Sequence, residues 1–194
     1  MSTYGIARLD KVRSVYTGHI ESVVNNDEVL QNGMVCMVGD LVTDERELRT
    51  AVKPITAKLS TDPLVLVAAP EVRYEEYLKS DNALELFATP AGTPARAYHL
   101  EKGDIFSVTE DMVDAIEYDA PEVGKYVVAQ NDSFKLKEVE DYTDEVFVGK
   151  VIQLETIGTT TYVGSVAGGP QIGRTNNLVV IEVLKNHRAV QEAS

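Results

Sequence analysis

The stretch Leu64-Val65-Leu66-Val67-Ala68-Ala69 is a continuous apolar run that lies between Pro63 and Pro70. An apolar run of four to eight residues that is bounded by turn residues is typical of a fully buried strand. Branched side chains fit a pleated, packed surface better than a helix interior. The run therefore predicts a buried β-strand.

The same β character continues on both sides of this run, and valine occurs 27 times in 194 residues. Asn32-Gly33 between apolar flanks predicts a tight hairpin turn. Apolar segments predict seven further strands, at 96–100, 105–108, 126–129, 134–137, 147–154, 160–166 and 178–184. Short strands at this spacing favour a mostly β fold with minor α+β character, as an antiparallel β-sandwich or a small β-barrel with one or two short helices.

Two segments are the helix candidates. The better one is Glu71–Leu86, where Tyr74, Tyr77 and Leu78 share one helical face. Thr109 is placed to cap a shorter helix over 110–116. Between the predicted strands near the start of the chain, Asp44-Glu45-Arg46-Glu47 predicts a charged turn or a short helix.

The organisation of the chain is predicted as an N-terminal arm, residues 1–25, followed by a β-rich body, residues 26–194. The first 20 residues carry a net charge of +2 and mix glycine with basic and apolar residues. A frayed terminus or a first strand is the alternative to an arm. If the segment is an arm that tethers the protein, its deletion should weaken attachment and leave the fold intact.

The Pro- and Gly-containing loop 88–94 is the point at which the body would divide into two subdomains.

Almost all of the negative charge lies in residues 71–145, which hold 19 Asp and Glu against 7 Lys and Arg, a net of −12 out of −13 for the whole chain. A surface of this sign repels phosphate backbones, so we expect no nucleic-acid partner. No apolar run approaches the 18 residues of a membrane span, and no signal-peptide core is present. The single cysteine, Cys36, excludes an internal disulfide and a cysteine-based zinc site, and its apolar neighbours predict a packed, inert thiol.

Three sequence patterns resemble catalytic or ligand-binding motifs but lack the sequence context that these motifs require. The sequence 168–175 has the spacing of a phosphate-binding loop with Arg174 in place of lysine, but strand-like residues follow it, so we expect a mobile loop instead. Ser107, His99 and Asp104 lack the nucleophile elbow of a hydrolase. The histidines, His19, His99 and His187, are far apart in the chain and show no metal-ligand spacing. The sequence therefore predicts neither an enzyme nor a cofactor or metal site.

Several short segments of the chain resemble capsid decoration proteins, also called cement or accessory head proteins, of tailed bacteriophages that infect Gram-positive hosts. The segments are Leu41-Val42 with Glu45-Arg46-Glu47, Ala51-Val52-Lys53-Pro54, the run 64–71, Ala95–Leu100 with Gly103–Val108, and Gly149-Lys150-Val151-Ile152. They span roughly residues 30–185 and are packing and turn motifs, and they bring no catalytic residues with them.

The resemblance implies a structural virion protein that binds the outer surface of the phage head and stabilises the capsid lattice. Its partner would be the major capsid protein, with a homo-oligomer on the capsid as a further option, and it would be made in the cytoplasm of the bacterial host. The candidate capsid-contact residues are Arg8, Lys11 and Arg13 in the arm and Arg174 in the loop 168–177. These two segments are expected to become ordered on docking.

Two other classes of function stay open. The first is another virion part, a head-completion or tail-tube subunit, which differs from a decoration protein in copy number and position. The second is a β-barrel ligand-binding module or enzyme, which requires a concave pocket with converging polar groups.

Overall fold

The computed structural model describes residues 4–59, 61–71, 84–116, 121–162 and 171–186. Strands account for 48% of the structure and helix for 9%. The strands form a closed five-stranded barrel and a separate seven-stranded sheet. The predicted mostly β fold with a small barrel is therefore confirmed.

The elements follow one another in the order β1 (Ala7–Lys11), α1 (Arg13–Thr17), β2 (Ile20–Val24), β3 (Val35–Leu41), β4 (Leu48–Val52), β5 (Leu64–Val67), β6 (Ala95–His99), β7 (Ile105–Thr109), β8 (Val113–Asp114), β9 (Tyr126–Ala129), β10 (Leu136–Val139), β11 (Phe147–Tyr162) and β12 (Gln171–Asn186). Single 3₁₀ turns lie at Thr56–Lys58, Leu84–Leu86 and Glu110–Met112. None of the helices in these described ranges is long and apolar enough to cross a membrane.

The barrel has the strand order β2-β4-β3-β5-β6, and β2 pairs with β6 to close it. The β2–β4 pair is parallel and the other pairs are antiparallel. The predicted buried strand is β5, and all four of its side chains are buried. Because β5 pairs on both sides, its backbone hydrogen bonds are satisfied in the interior.

The second sheet has the order β1-β7-β12-β11-β9-β10-β8 and is antiparallel except for the β10–β8 pair. The strands β11 and β12 have 16 residues each and stay paired from Phe147 opposite Asn186 to Tyr162 opposite Gln171. The three strands predicted at 147–154, 160–166 and 178–184 are thus two long strands. Residues 171–177, which were expected to be loop, belong to β12, and residues 163–170 lie outside the described ranges.

Two apolar clusters explain why several barrel strands are buried on both faces. Each of the five barrel strands contributes to one cluster, which therefore fills the barrel, with Leu30 and Phe134 added from outside the strands. The other cluster joins the outer face of the barrel to the second sheet. In β5, Val65 and Val67 belong to the first cluster and Leu64 and Leu66 to the second, as the two-residue period of a strand requires.

The N-terminal segment contains a first strand that pairs within the fold. β1 pairs with β7, β2 is a wall of the barrel, and Ile6 and Val12 are 1% and 0% exposed. The alternative of a first strand is therefore the one that the structure favours. Deletion of residues 1–25 would remove β1 and β2, so we now expect it to open the barrel and not to leave the fold intact.

The boundary between the two sheets falls after the loop 88–94. Thr89 in this loop forms a bridge with Leu30, and β6, which follows the loop, is still a barrel strand. The chain passes from the barrel to the second sheet between His99 and Ile105, through the turn that contains Gly103.

The predicted hairpin at Asn32-Gly33 is wrong, although a turn is present and Gly33 has the positive φ of 92° that such a turn uses. The residues on its two sides pair elsewhere, Leu30 with Thr89 and Val35 with Leu66. The side chain of Asn32 binds the backbone of another segment: Oδ1 accepts from the Ala69 amide at 2.8 Å, and Nδ2 donates to the Ala69 carbonyl at 3.1 Å. Tertiary pairing therefore outweighs the local hairpin preference.

The other local predictions have mixed outcomes. The pairing of β9 with β10 confirms a hairpin around 130–133. Asp44 lies in a turn with a φ of 67°, which confirms the charged turn. Thr109 is followed by only a 3₁₀ turn and makes no capping bond, because its hydroxyl accepts from the Ile6 amide at 3.3 Å. Most of the helix predicted at 71–86 lies outside the described residues.

We expect Asn32→Ala to lower the free energy of unfolding by about 1–3 kcal/mol, because the buried Asn32 side chain is the hydrogen-bond partner of the half-buried Ala69 amide and carbonyl. Asn32 also donates to Glu71 Oε1 at 3.2 Å; burial raises the pKa of Glu71, and this hydrogen bond opposes the rise. Urea denaturation measures the change. Asn26→Ala, at an exposed asparagine, is the control and should change stability by no more than about 0.5 kcal/mol. Equal effects of the two substitutions would contradict the role of Asn32.

We also expect the Cys36 thiol to make stability depend on pH in the alkaline range. Burial raises the pKa of Cys36 to about 12 from 9.0, so the folded chain keeps a proton that the unfolded chain loses. Stability should therefore fall as the pH rises from about 9 to 12. Between pH 8.5 and 10.5 the thiol should contribute a loss of about 2 kcal/mol that Cys36→Ala does not show. Denaturation of both proteins at the two pH values tests this, and parallel pH profiles would contradict it.

Candidate functional site

The two longest strands extend beyond the strands that flank them. β9 pairs with β11 only as far as Lys150, and β7 pairs with β12 only from Leu178 onward. We call the remaining two-stranded segment, residues 152–162 and 171–177, the ribbon. At about 3.3 Å per residue its longer strand spans roughly 36 Å. This is about twice the radius of gyration of roughly 16 Å that is expected of a compact chain of this length.

The ribbon presents both backbone edges and apolar side chains at its surface. Ile152 and Leu154 are 37% and 46% exposed, and Thr156 and Asn177 are exposed beside them. Neither outer edge has a strand partner within the part of the chain that the structure describes. An isolated two-stranded hairpin is only marginally stable in water, so contact with a partner would stabilise the ribbon.

Three polar contacts hold the base of the ribbon against the body. Glu155 Oε2 accepts from Arg8 Nη1 at 3.1 Å. Asn176 Nδ2 donates to Glu85 Oε2 at 3.3 Å, and Asn177 Nδ2 donates to the carboxylate of Glu110 at 3.2 Å. These contacts come from both strands of the ribbon, so they define its direction relative to the body.

Two of the four predicted capsid-contact residues lie in the ribbon or at its base, and the other two lie elsewhere. Arg8 lies at the base of the ribbon, and Arg174 lies within it, opposite Thr159. Lys11 is exposed at the end of the edge strand β1, and Arg13 begins α1, where it forms an ion pair with Glu101 at 2.7 Å. The surface that joins Arg8 and the ribbon is therefore the candidate docking surface.

A second group of side chains meets at one end of the barrel. His19, Glu21 and His99, which we call the His–Glu cluster, each place one nitrogen or oxygen atom within 4.8 Å of the others. His99 Nε2 lies 3.1 Å from Glu21 Oε1, and the rings of His19 and His99 stack with their centroids 4.0 Å apart. His19 is exposed, Glu21 is half-buried and His99 is buried.

The pairing of β2 with β6 accounts for this cluster. Ile20 is opposite Tyr98 and Glu21 is opposite Ala97, so the next pair in the same register is His19 and His99. Residues 19, 21 and 99 share one face of the two strands because side chains alternate along a strand. Sequence reasoning missed this site, since His19 and Glu21 are 78 or more residues from His99 in the chain. The sequence gives one local indication of the cluster: His19 and Glu21 are two residues apart, so an extended chain places both side chains on the same face.

The short helix α1 leads the chain into this cluster. Asp104 is 4% exposed; its Oδ1 accepts from the Arg13 amide at 3.1 Å and its Oδ2 from the Glu101 amide at 2.8 Å. Ser14 Oγ donates to the His99 carbonyl at 2.8 Å, and Gly18, with a φ of 71°, ends the helix. These contacts place His19 beside β6.

The other patterns noted in the sequence have different partners in the structure. Ser107 Oγ donates to Asp10 Oδ2, whereas His99 faces Glu21 and Asp104 binds backbone amides, so Ser107, His99 and Asp104 do not form a triad. Residues 171–175 are strand and not the start of a helix, as a phosphate-binding loop would require. His187 lies outside the described residues.

One open depression of about 400 Å³ lies on the barrel and is lined by Asn25, Thr50 and Lys53 among others. Two of its charged groups pair with each other: Lys53 Nζ lies 2.7 Å from Glu28 Oε1, and this hydrogen bond raises the pKa of Lys53. The Asn25 side chain accepts from the amides of Asp27 and Glu28. The polar groups at this depression therefore stabilise its own loop.

No family model, curated protein or solved structure matches the chain. The function is therefore inferred from the geometry of the ribbon and of the His–Glu cluster.

We expect Asp104→Ala to lower the free energy of unfolding by about 2–4 kcal/mol, because two backbone amides lose a charged, buried acceptor. Asp27→Ala removes an exposed carboxylate and should change stability by about 0.5 kcal/mol or less. Urea denaturation at pH 7 compares the two variants. A loss for Asp104→Ala no larger than for the control would show that the aspartate does not anchor α1.

Proposed function

We propose that the chain is a structural virion protein that binds the outer surface of a phage head and stabilises the capsid lattice by bridging neighbouring major capsid protein subunits. The observation that carries this proposal is the ribbon, a paired segment of roughly 36 Å with no strand partner on its outer edges in the described ranges. The resemblance of the sequence to capsid decoration proteins supports the same function.

The ribbon suits a bridging role for three physical reasons. Its length of roughly 36 Å is about twice the radius of gyration of roughly 16 Å expected of a compact chain of 194 residues, which favours contact with more than one capsid subunit. Its two strands are already hydrogen-bonded to each other, so docking loses less conformational entropy than the ordering of a free tail would. Both edges can add a strand from a partner, and Leu154 supplies apolar contact.

The second half of the chain exposes acidic residues outside the ribbon, and basic residues lie in the ribbon and at its base. Exposed acidic residues of the second half of the chain include Asp111, Asp114, Glu122, Glu140 and Asp144. The ribbon carries Arg174, and Arg8 lies at its base. An acidic outer surface would make decorated particles repel one another and stay dispersed.

The test is rebinding of the purified full-length chain to heads that lack it. We expect it to bind and to raise the temperature at which the heads break apart, because it would link neighbouring subunits. Leu154→Lys, which places a charge on the ribbon, should weaken binding at least about tenfold without changing the fold. Val29→Lys alters a similarly exposed apolar side chain on the barrel and is the matched control.

Absence of binding to heads in every expansion state would overturn the proposal. Equal binding by the two lysine variants would overturn the role of the ribbon. Binding confined to one ring at the portal vertex or to the tail would instead support a head-completion or tail-tube subunit, and electron microscopy of the particles distinguishes these positions.

A further inference from the structure

We infer that the His–Glu cluster is a binding site for a divalent transition-metal ion of the zinc type, with His19, Glu21 and His99 as its protein ligands. Such an ion would join β2 to β6 at the end of the barrel. This inference is independent of the proposed function.

The donor set selects the class of ion. Two imidazoles and one carboxylate are a known ligand set for zinc, which accepts nitrogen and oxygen donors at about 2.0–2.2 Å and leaves a fourth position for water. Calcium and magnesium prefer all-oxygen sites, so two histidines disfavour them. The chain's net charge of −13 attracts cations in general, and the imidazoles provide the discrimination between them.

One ligand–ligand distance is already close to what a tetrahedral ion requires, and the third ligand lies within reach. Two ligand atoms of such an ion lie about 3.4 Å apart, and His99 Nε2 and Glu21 Oε1 are separated by 3.1 Å. All three ligand atoms lie within 4.8 Å of one another, so a shift of about 1.4 Å or less by a side chain completes the site. His19 lies between α1 and β2, outside both elements, and its ring leaves the stack with His99 when it makes this shift.

The surroundings make two of the three ligands rigid. His99 is a strand residue with an exposure of 9%, and its own carbonyl accepts from Ser14 Oγ. Glu21 lies on β2, whose backbone pairs with β6 on one side and β4 on the other. Ligands held on rigid strands lose little conformational entropy when they bind an ion, which favours affinity.

The site also lies where a bound ion would hold the barrel closed. β2 and β6 are the first and last strands of the barrel, and their pairing closes it. His19 and Glu21 come before the barrel strands β3 to β5 in the chain, and His99 comes after them. An ion that binds all three residues links the two ends of the barrel, so its binding should stabilise the folded chain.

The experiment uses the full-length, tag-free chain, stripped of metal with a chelator and titrated with Zn²⁺ by calorimetry. We expect one ion per chain, and we expect Zn²⁺ at 100 times its dissociation constant to raise the melting temperature by about 5–10 °C. His19→Ala should weaken binding at least about tenfold, and Glu21→Gln should weaken it as well. Glu47→Gln, which removes an exposed carboxylate between β3 and β4, is matched to Glu21→Gln in charge and should bind as the unaltered chain does.

Nuclear magnetic resonance of the imidazole nitrogens gives a direct second measurement, because coordination shifts the signals of His19 and His99. His19→Gln serves if His19→Ala does not fold, and circular dichroism without metal checks both variants. Absence of zinc binding, or binding that the His19 variants leave unchanged, would overturn the inference. Equal affinity for Mg²⁺ and Zn²⁺ would also overturn it, since that result indicates a nonspecific carboxylate surface.

Discussion

Pairing of β2 with β6 closes the barrel, and much of the structure depends on this contact. It brings residues 20–24 against residues 95–99, so the barrel contains an interior that each of its strands helps to fill. It gives β6, the strand next to the buried β5, a partner on its other side. It also sets His19 and Glu21 beside His99. A chain without β2 would leave an open sheet with two unpaired edges and an exposed interior face.

The second sheet packs on the outer face of this barrel and extends past it. Alternate residues of β5 belong to the two apolar clusters. This barrel strand therefore separates the barrel interior from the cluster that lies between the barrel and the second sheet. At the centre of the sheet, β11 and β12 continue together beyond their neighbours and form the ribbon. The proposed docking to other proteins rests on this ribbon, which is paired along its length and partly exposed. The His–Glu cluster lies on the barrel, where its proposed ion would act on the body itself.

Local patterns in the sequence were sufficient for the fold class and for several elements. The apolar run 64–69 and the hairpin around 130–133 were predicted correctly, because burial on both faces and short loops leave a local signature. The hairpin at Asn32-Gly33 was wrong, because the Asn32 side chain binds Ala69 and the flanking residues pair with distant strands. The loop expected at 171–177 is strand, because the continuous pairing with β11 stabilises polar residues in an extended conformation.

The sequence by itself determined that the chain is mostly β, that its negative charge is concentrated in residues 71–145, and that Cys36 is packed. These properties follow from composition and from periodicity over a few residues. The tertiary structure alone decided the closed barrel, the length of the ribbon and the meeting of His19 with His99. Each of these depends on which strands pair, and the free energy of that pairing comes from contacts between residues far apart in the chain. A single sequence records the side chains that make such contacts but not their partners.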